Sequence, residues 1–460
     1  MKKVLLLNPP GRKLYIREYF CSKVSQADYI PHPVDLVMLS GVLSGKFALE
    51  LIDAITGKLS EAGALEAAAA VKPEAVICLV GAASLSEDLA FLKALRPRLP
   101  NAKIIAIGDV FREDARKRLG DYPFIDAVLL DFTSEDIVLY LEGNTSSLPD
   151  IVTADSVETA YPVKKGSYSV GIPDHKLFLK YNYRHPFVRS RRFATVLTDY
   201  GCPFKCTFCV MGTLGFAVRE VDNIMRELEA IVSLGTREVL FQTQTFGANK
   251  KQAVELCERI IKSKLGLGWV CFSRVDVTTP ELLDKMKRAG CHTIIFGIES
   301  GADKILSAYQ KGYTAAQAEA VIEYCDRIGI ETAGTFILGL PEETRETLAR
   351  TLSLIKRIRL DYASFNVAVP RAGTGLRKEA IGLGLAGENT EIMDQSGSDI
   401  SMPTKTLSRA EILKFRRKAV AAFYFSPKNL VRRIFKARSL PMLLRNFSQG
   451  LSLIRNTWFS

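Results

Sequence analysis

The stretch Gly201-Cys202-Pro203-Phe204-Lys205-Cys206-Thr207-Phe208-Cys209 places three cysteines within eight residues. Thiolates this close on one loop can each bind a different iron of a cubane cluster. A structural zinc site is the competing interpretation, but zinc wants four ligands, usually in two paired groups. The next cysteine, Cys257, lies in a helical pattern far downstream, and a disulfide fits poorly with three adjacent thiols. The spacing therefore predicts an iron–sulfur cluster on three thiolates, with one iron open to another ligand.

Short β-branched runs alternate with helical patterns on both sides of this loop. Six predicted strands fall in residues 191–375, which are too few for a closed eight-stranded barrel and predict a partial (β/α)6 barrel. The cysteine loop follows the first of these strands, at the end where barrels carry their chemistry. The predicted strands are Ala194–Thr198, Glu238–Gln242, Trp269–Arg274, Thr293–Gly297, Glu331–Leu338 and Ser364–Val369.

Residues 1–140 show the same alternation and predict an α/β domain of the doubly wound, Rossmann-like type. Ligands of such sheets bind outside the carboxyl ends of the strands, near the switch point. Residues 141–190, rich in Gly, Pro, Ser and Tyr, form a predicted connector to the barrel. The predicted N-terminal strands are Val4–Leu7, Leu49–Asp53, Ala75–Val80, Lys103–Gly108 and Ala127–Leu130.

The net charge of +12 is concentrated in the C-terminal region, residues 376–460. From Ile412 to Ser460 there are eleven Lys or Arg and no Asp or Glu, which leaves residues 1–411 with a net charge of +1. Helical apolar spacing in this tail is consistent with a cap on the barrel, with an element on an anionic membrane surface, or, less favoured, with nucleic-acid binding. The chain has no apolar run of 18 residues and no signal-peptide pattern, so we expect a reduced, cytoplasmic setting, with peripheral membrane association as an option for the tail.

The spacing C-x3-C-x2-C, with Phe208 before the last cysteine, resembles the radical S-adenosylmethionine (radical SAM) superfamily. Residues 1–140 are similar to the cobalamin-binding domain found ahead of many of its members, through Asn8-Pro9-Pro10 after the first strand and Ile105–Gly108 at the fourth. This subfamily includes hopanoid methylases and anaerobic magnesium-protoporphyrin ester cyclases. The resemblance implies a 4Fe-4S cluster, S-adenosylmethionine and cobalamin as cofactors. The chain has no Asp-x-His-x-x-Gly motif, so no histidine is expected below cobalt.

The resemblance also assigns roles to individual residues. Cys202, Cys206 and Cys209 would hold the cluster. Polar residues stand where the family has acids after the second barrel strand, and they are either cofactor contacts or satisfied loop residues. Glu299 is either a contact to the cofactor ribose or a structural carboxylate. Glu343 is expected to cap a helix, and His185 either lines the pocket or, as the favoured expectation, satisfies a turn. The implied cofactor contacts are Phe208, Gln242, Thr243, Gln244, Arg274, Glu299 and Ser300 toward S-adenosylmethionine, and Asn8 and Gly108 toward cobalamin.

The first functional hypothesis is a cobalamin-dependent C-methyltransferase that acts on an unactivated carbon of a hydrophobic substrate, a lipid or a polycycle. S-adenosylmethionine would be cleaved to a 5′-deoxyadenosyl radical, with flavodoxin or ferredoxin as electron donor. The alternative keeps radical initiation but performs cyclisation, C–C coupling or oxidation, with the N-terminal domain serving only as a wall of the substrate pocket. No residue is predicted to act on the substrate itself, and nucleic acid is not an expected partner.

Overall fold

The computed structural model describes residues 1–18, 21–25, 29–144, 148–156, 163–387 and 400–436. The N-terminal part is built on a six-stranded sheet with the order β4-β1-β5-β6-β7-β8, parallel except for the β7–β8 pair. The last strand lies beyond residue 140, the end that the sequence predicts for this domain. The N-terminal strands are β1 (Lys3–Asn8), β2 (Tyr15–Ile16), β3 (Lys23–Val24), β4 (Ala48–Asp53), β5 (Ala75–Leu79), β6 (Lys103–Ile107), β7 (Ala127–Leu129) and β8 (Ile151–Val152).

Strand β1 shows why this sheet is buried on both faces. Leu5 and Leu7 belong to the apolar cluster on one side, whereas Val4 and Leu6 belong to the cluster on the other. Successive side chains of a strand point to opposite faces, so a continuous apolar run requires a cover on each side. The covering helices are α1 (Val34–Leu43), α2 (Glu61–Val71), α3 (Leu85–Leu95), α4 (Ala115–Asp121) and α5 (Asp136–Glu142).

Helix α1 is the joint between the two halves of the molecule. All ten of its residues are buried, because it lies between the N-terminal sheet and the barrel. Gly41 approaches the connector closely, since a Cβ atom at this position would lie 2.2 Å from the carbonyl oxygen of Gly171. A helix that is apolar all round needs partners on every side, and α1 thereby fixes the N-terminal sheet against the first barrel strand.

The second half is an open, all-parallel sheet with the order β10-β13-β14-β15-β16-β17. Each predicted barrel strand is present, which confirms the partial six-stranded barrel. The strands of this half are β9 (Lys164–Tyr168), β10 (Ala194–Val196), β11 (Asp199–Gly201), β12 (Gly215–Arg219), β13 (Glu238–Phe241), β14 (Gly268–Ser273), β15 (Cys291–Glu299), β16 (Glu331–Leu338) and β17 (Tyr362–Val367). Its helices are α6 (Val221–Ser233), α7 (Lys250–Ser263), α8 (Pro280–Arg288), α9 (Asp303–Ala308), α10 (Ala315–Ile328), α11 (Arg345–Arg357) and α12 (Gly375–Gly382).

A small second sheet, β11-β12-β9, stands at the carboxyl end of β10 and was not expected from the sequence. Strands β11 and β12 are antiparallel, and β9, from the connector, pairs in parallel with β12. The cysteines lie on the connection between β11 and β12. The connector therefore does more than link two domains, because it braces the loop that carries the predicted cluster ligands.

The C-terminal region continues as α13 (Arg409–Tyr424) and α14 (Pro427–Lys436). Helix α13 buries Ile412, Val420 and Phe423 against the barrel, and Tyr424 donates a hydrogen bond to the carbonyl of Ala363 at 2.6 Å. This part of the tail is a structural cap. The rest of the predicted basic segment, residues 437–460, lies outside the described residues. Within the described ranges, no helix is both long and apolar enough to cross a membrane.

Candidate iron–sulfur and cofactor site

The cysteine loop is held by backbone hydrogen bonds at its start and inside its turn. The Cys202 N–H donates to the carbonyl of Gly215 at 2.9 Å, and the Cys209 N–H donates to that of Cys206 at 3.0 Å. Gly201 begins the turn with φ +73°, and a Cβ atom on it would lie 2.0 Å from the Gly215 carbonyl oxygen. Only glycine meets both the backbone conformation and the close approach, so the residue before Cys202 is dictated by the turn.

The three thiols fit a cluster that takes one ligand per iron. No group of three or more His, Cys, Asp or Glu side chains in the described ranges could hold a single metal ion. A cubane does not need such a group, since each thiolate binds a different iron. Burial raises the pKa of the Cys209 thiol to about 12 and also raises that of Cys202. Deprotonation of these thiols must therefore be driven by the metal, as is usual where binding releases protons.

Arg274, at the end of β14, brings a positive charge to this loop. Its Nη1 donates to the Cys206 sulfur at 3.2 Å, and its guanidinium lies 3.8 Å from the centre of the Phe204 ring. The other side of the guanidinium is paired with Asp276, Nη2 to Oδ2, at 2.8 Å. Hydrogen bonds to ligand sulfurs and nearby charges tune iron–sulfur clusters. Arg274, which the sequence predicts to contact the cofactor, therefore contacts the cysteine loop and also faces the space beside it.

Glu299, at the end of β15, is paired with Lys311, a residue for which the sequence predicts no role. Lys311 Nζ lies 2.8 Å from Glu299 Oε1, and both side chains are less than 10% exposed. The ammonium also lies 5.7 Å from the centre of the Phe208 ring. Glu299 has φ +63°, a conformation that residues other than glycine adopt only at a cost. The carboxylate is thus held in a fixed position beside the cysteine loop.

A cavity of about 430 Å³ joins these groups at the carboxyl ends of the barrel strands. The three cysteines line it, as do the predicted contacts Phe208, Gln242, Gln244, Arg274 and Glu299. Lys311 and His185 line it too, and burial lowers the pKa of His185 to about 3, so this imidazole is neutral. Of the two places expected for His185, the pocket wall and a turn, the structure shows the pocket wall.

Two predicted cofactor contacts point away from this cavity. The Thr243 hydroxyl donates to Asp199, and the Ser300 hydroxyl lies 3.1 Å from that of Thr351, both in buried surroundings. Gln242 and Glu299 line the cavity, whereas the residue that follows each of them is buried behind it. Direct contact between the cofactor and Thr243 or Ser300 is therefore not supported.

Glu343 also has a role that differs in detail from the expected one. Its carboxylate accepts hydrogen bonds from the N–H groups of Gly339 and Leu340 and so closes the turn after β16. Thr344, rather than Glu343, caps helix α11 through a hydrogen bond from the Thr347 N–H. Burial raises the pKa of Glu343 to about 8. Its function is structural, in line with the sequence-based expectation.

Asn8 and Gly108, the predicted cobalamin contacts, lie at the carboxyl edge of the N-terminal sheet. Asn8 ends β1, next to β5, where the strand order reverses. Its Oδ1 accepts a hydrogen bond from Arg17 at 3.0 Å, and Arg17 is itself buried in an ion pair with Asp88 at 2.6 Å. Gly108 packs so tightly that a Cβ atom on it would lie 1.7 Å from the Val80 carbonyl oxygen. Both residues are thus engaged within the protein.

The crevice at this edge is filled by residues 9–18 and 21–25 of the chain itself. A Cβ atom on Gly81, just after β5, would meet Ser22 at 3.0 Å and Arg17 at 3.2 Å. The Asp109 carboxylate accepts a hydrogen bond from the Ser22 N–H at 2.9 Å and is paired with Arg371 of the barrel at 3.6 Å. In this arrangement the residues do not fit a corrinoid against Asn8 and Gly108.

Comparison with known proteins agrees with this architecture. Residues 196–355 match the family model of the radical SAM superfamily. The uncharacterized methyltransferase PH0819 of Pyrococcus horikoshii is 33% identical over 304 residues, which are 64% of this chain and 65% of that protein. The anaerobic magnesium-protoporphyrin IX monomethyl ester cyclase of Rubrivivax gelatinosus is 25% identical over 389 residues, 79% of this chain and 67% of that enzyme. The aligned part thus spans about two thirds of the length of these relatives.

Two solved structures share the fold. TsrM from Kitasatospora setae, a radical S-adenosylmethionine methyltransferase with cobalamin and a 4Fe-4S cluster bound, superposes with a TM-score of 0.67 at 18% identity, over 85% of this chain and 80% of that one. OxsB, a cobalamin-dependent S-adenosylmethionine radical enzyme, gives 0.70 at 15% identity, over 99% of this chain and 72% of that one. Over residues 196–355, with the cysteine loop at the carboxyl end of a partial barrel, the chain therefore resembles the radical SAM superfamily, a match that implies a 4Fe-4S cluster and S-adenosylmethionine.

Proposed function

We propose that the enzyme cleaves S-adenosylmethionine reductively beside Cys202, Cys206 and Cys209 and directs the resulting radical at a small molecule in the same cavity. The observation that carries this proposal is the convergence of the cysteine loop, Arg274 and the Glu299–Lys311 pair on one enclosed space. A bound cluster supplies the electron for the cleavage. The electron donor is a small redox protein of the flavodoxin or ferredoxin kind.

The chain's own residues bind and orient the cofactor. Arg274 donates a hydrogen bond to the Cys206 sulfur and so orients this cluster ligand. Glu299 offers its carboxylate to the ribose hydroxyls, the task that acidic residues perform at other nucleotide sites. Lys311 holds that carboxylate in place. Thr243 and Gln244 stand where the family has acids, and of these two Gln244 faces the cavity, as does Gln242. Recognition of the cofactor's amino group therefore rests on the neutral amide oxygens of Gln242 and Gln244 instead of on a negative charge.

The reaction that we propose is methyl transfer to a carbon of a substrate with an apolar part. The names of PH0819 and TsrM support methyl transfer, and the cofactors named for TsrM and OxsB support cobalamin as the methyl carrier. Apolar side chains of the cavity wall, Phe187, Phe272 and Ile337 among them, support the apolar part of the substrate. Because residues 9–18 and 21–25 fill the N-terminal crevice, cobalamin could bind there only after this segment moves.

That filled crevice favours a second candidate function, a radical reaction without cobalamin. The segment of residues 9–18 and 21–25 contributes Glu18 and Lys23 to the cavity wall, and the chain just after it contributes Tyr29 and Pro31. It would then serve as one side of the substrate pocket, and the outcome would be cyclisation, coupling or oxidation. Arg17, which anchors this segment, separates the two candidates.

The cluster is tested by anaerobic reconstitution of the wild-type chain and of a variant with Cys202, Cys206 and Cys209 all changed to Ser. We expect about four irons per wild-type chain and loss of the cluster absorbance in the variant. The loaded wild type should release 5′-deoxyadenosine from S-adenosylmethionine under dithionite. Four irons retained by the triple variant, or zinc in place of iron in the wild type, would refute the assignment.

Cobalamin is tested by titration of the wild type and Arg17→Met with hydroxocobalamin, followed by visible absorbance. Arg96→Met is the matched control, because Arg96 also bonds to backbone carbonyls of the N-terminal domain, on an edge remote from Asn8. Binding that is strengthened by Arg17→Met but not by Arg96→Met would support methyl transfer and show that the segment must move. If no variant binds hydroxocobalamin, the second candidate function is favoured.

A further inference from the structure

Asp199, the first residue of β11, is a buried carboxylate three residues before the first cluster ligand. Its side chain is within the core, at 5% exposure. Oδ2 accepts hydrogen bonds from the hydroxyls of Thr198, at 2.9 Å, and of Thr243. Oδ1 is buried and makes no hydrogen bond of full geometry among the described residues, although the backbone N–H of Gln244 lies close enough to lower the pKa of the carboxyl. Buried polar atoms are nearly always satisfied, so a carboxylate oxygen this poorly paired calls for an explanation.

A chain of contacts leads from this carboxylate to Cys202. The Thr243 oxygen that donates to Asp199 also accepts a hydrogen bond from the Thr245 N–H at 3.3 Å. The Thr245 hydroxyl in turn lies 3.8 Å from the Cys202 sulfur, within hydrogen-bond range for sulfur. The turn after β13 is therefore held at one end by Asp199, and at the other it touches a cluster ligand.

The same turn is where this chain lacks the acidic residues of its subfamily. Phe241-Gln-Thr-Gln-Thr-Phe246 carries no charge, whereas the facing strand β11 carries Asp199. Neither its hydrogen-bond partners nor any ion pair within the described residues neutralises this carboxylate. Burial raises the pKa of Asp199 to about 6, which leaves it ionised in the mildly alkaline buffers used for such enzymes.

We propose that Asp199 is a positioning residue that orients the Thr243–Thr245 turn against Cys202 and that its negative charge lowers the reduction potential of the cluster. This inference rests on the proposed function, since it requires the cluster. A negative charge in a low-dielectric interior disfavours the addition of an electron nearby. Hydrogen bonds and charges around the ligand sulfurs are among the features that set cluster potentials.

A purely structural role for Asp199 makes a different prediction. Asp199→Asn keeps the shape of the side chain and an oxygen acceptor for the hydroxyls of Thr198 and Thr243, but removes the charge. If Asp199 only ties two loops together, the potential of the loaded cluster stays at the wild-type value. If the charge acts on the cluster, the potential rises.

The experiment is a redox titration of the anaerobically reconstituted proteins at pH 8, followed by electron paramagnetic resonance. We expect a more positive midpoint potential for Asp199→Asn than for the wild type, and also for Asp199→Ser, which removes the charge with a smaller side chain. Asp361→Asn is the matched control, because Asp361 is a buried carboxylate that accepts the Thr332 N–H at the opposite end of the barrel strands. This control should keep the wild-type potential.

The outcomes separate this proposal from the proposed function. A loaded wild type with unchanged potentials in both Asp199 variants would overturn the role of Asp199 and leave the function intact. Failure of both variants to load a cluster, while Asp361→Asn loads it, would show that Asp199 is needed for structure and would also overturn the redox proposal. A wild type that holds no cluster would overturn the proposed function itself.

Discussion

Replacement of Lys311 by Met tests whether the buried ion pair behind the cysteine loop organises the cofactor site. Lys311 and Glu299 are 7% and 9% exposed, and no other cation forms an ion pair with Glu299 in the described part of the chain. Removal of one partner of a buried pair leaves the other charge uncompensated and costs about 3–5 kcal/mol. The barrel, residues 191–375, falls in the size range of about 150–250 residues, for which each kcal/mol of lost stability lowers the melting temperature by about 2–4 °C. We therefore expect the melting temperature of Lys311→Met to fall by at least about 6 °C.

The pair Lys285–Glu258 on the same barrel provides a matched control. Its Nζ–Oε1 distance of 2.6 Å is as short, but its side chains are 33% and 56% exposed. Exposed pairs contribute about 0–1 kcal/mol, so Lys285→Met should lower the melting temperature by less than about 4 °C. Scanning calorimetry of the two variants beside the wild type measures both shifts. Equal losses in the two variants would refute the argument from burial.

The same variant makes a prediction about the cofactor. Without Lys311, the Glu299 carboxylate loses the cation that holds it in place, so its proposed contact with the ribose is weakened. We expect the dissociation constant for S-adenosylmethionine to rise by about tenfold, equivalent to about 1.4 kcal/mol, in Lys311→Met and to be unchanged in Lys285→Met. Equilibrium dialysis with the reconstituted proteins measures this constant. Unchanged affinity in Lys311→Met would show that Glu299 does not hold the cofactor.

Two further predictions concern the architecture around the site. Gly201→Ala should lower the melting temperature and the cluster content, because it combines an unfavourable positive φ with a Cβ atom 2.0 Å from the Gly215 carbonyl oxygen. The control Gly235→Ala has φ +80° but open space around it, so it should incur only the conformational cost of about 1–3 kcal/mol. Equal losses in the two variants would exclude the close approach as a cause. Burial raises the folded-state pKa of Glu343 to about 8, so its contribution to stability is present at low pH and is lost as the pH rises through 8. The melting temperature of the wild type should therefore fall more than that of Glu343→Gln between pH 6 and pH 9, and parallel curves would contradict this assignment.

The parallel strands of the two large sheets were predictable, because parallel strands covered on both faces require continuous apolar runs. Glu331–Leu338 is predicted and observed with the same limits, and the other barrel strands differ by a few residues at their ends. Their ends are also where the site lies, so the cysteine loop, Gln242, Arg274 and Glu299 could be located from sequence alone. The small sheet that braces the cysteine loop could not be predicted, because β9 pairs with a strand about 50 residues away.

The residues that sequence reasoning missed act through distant partners. Lys311 lies twelve residues after Glu299, beyond α9, and no local pattern marks it as the counterion. No motif marks Arg17, which is buried through contacts with Asp88 and with the carbonyls of Pro9 and Pro10. Thr243 and Ser300 show the converse case, because they are adjacent in sequence to the cavity residues Gln242 and Glu299 but are buried behind the cavity wall.

Some of the basic residues counted in the C-terminal region are buried or paired, so they do not add to a positively charged surface. Arg416 is buried and donates to the carbonyl of Phe365 at 3.0 Å, and Arg432 is paired with Asp326 at 2.8 Å and with Asp361 at 3.2 Å. These charges serve the contact between the helical cap and the barrel, so they are not free to attract anionic lipid. Tyr424 of the same cap lines the substrate cavity. Truncation at residue 412 would therefore remove part of the cavity wall. A test of membrane binding must keep α13 and α14 and leave Arg416 and Arg432 in place.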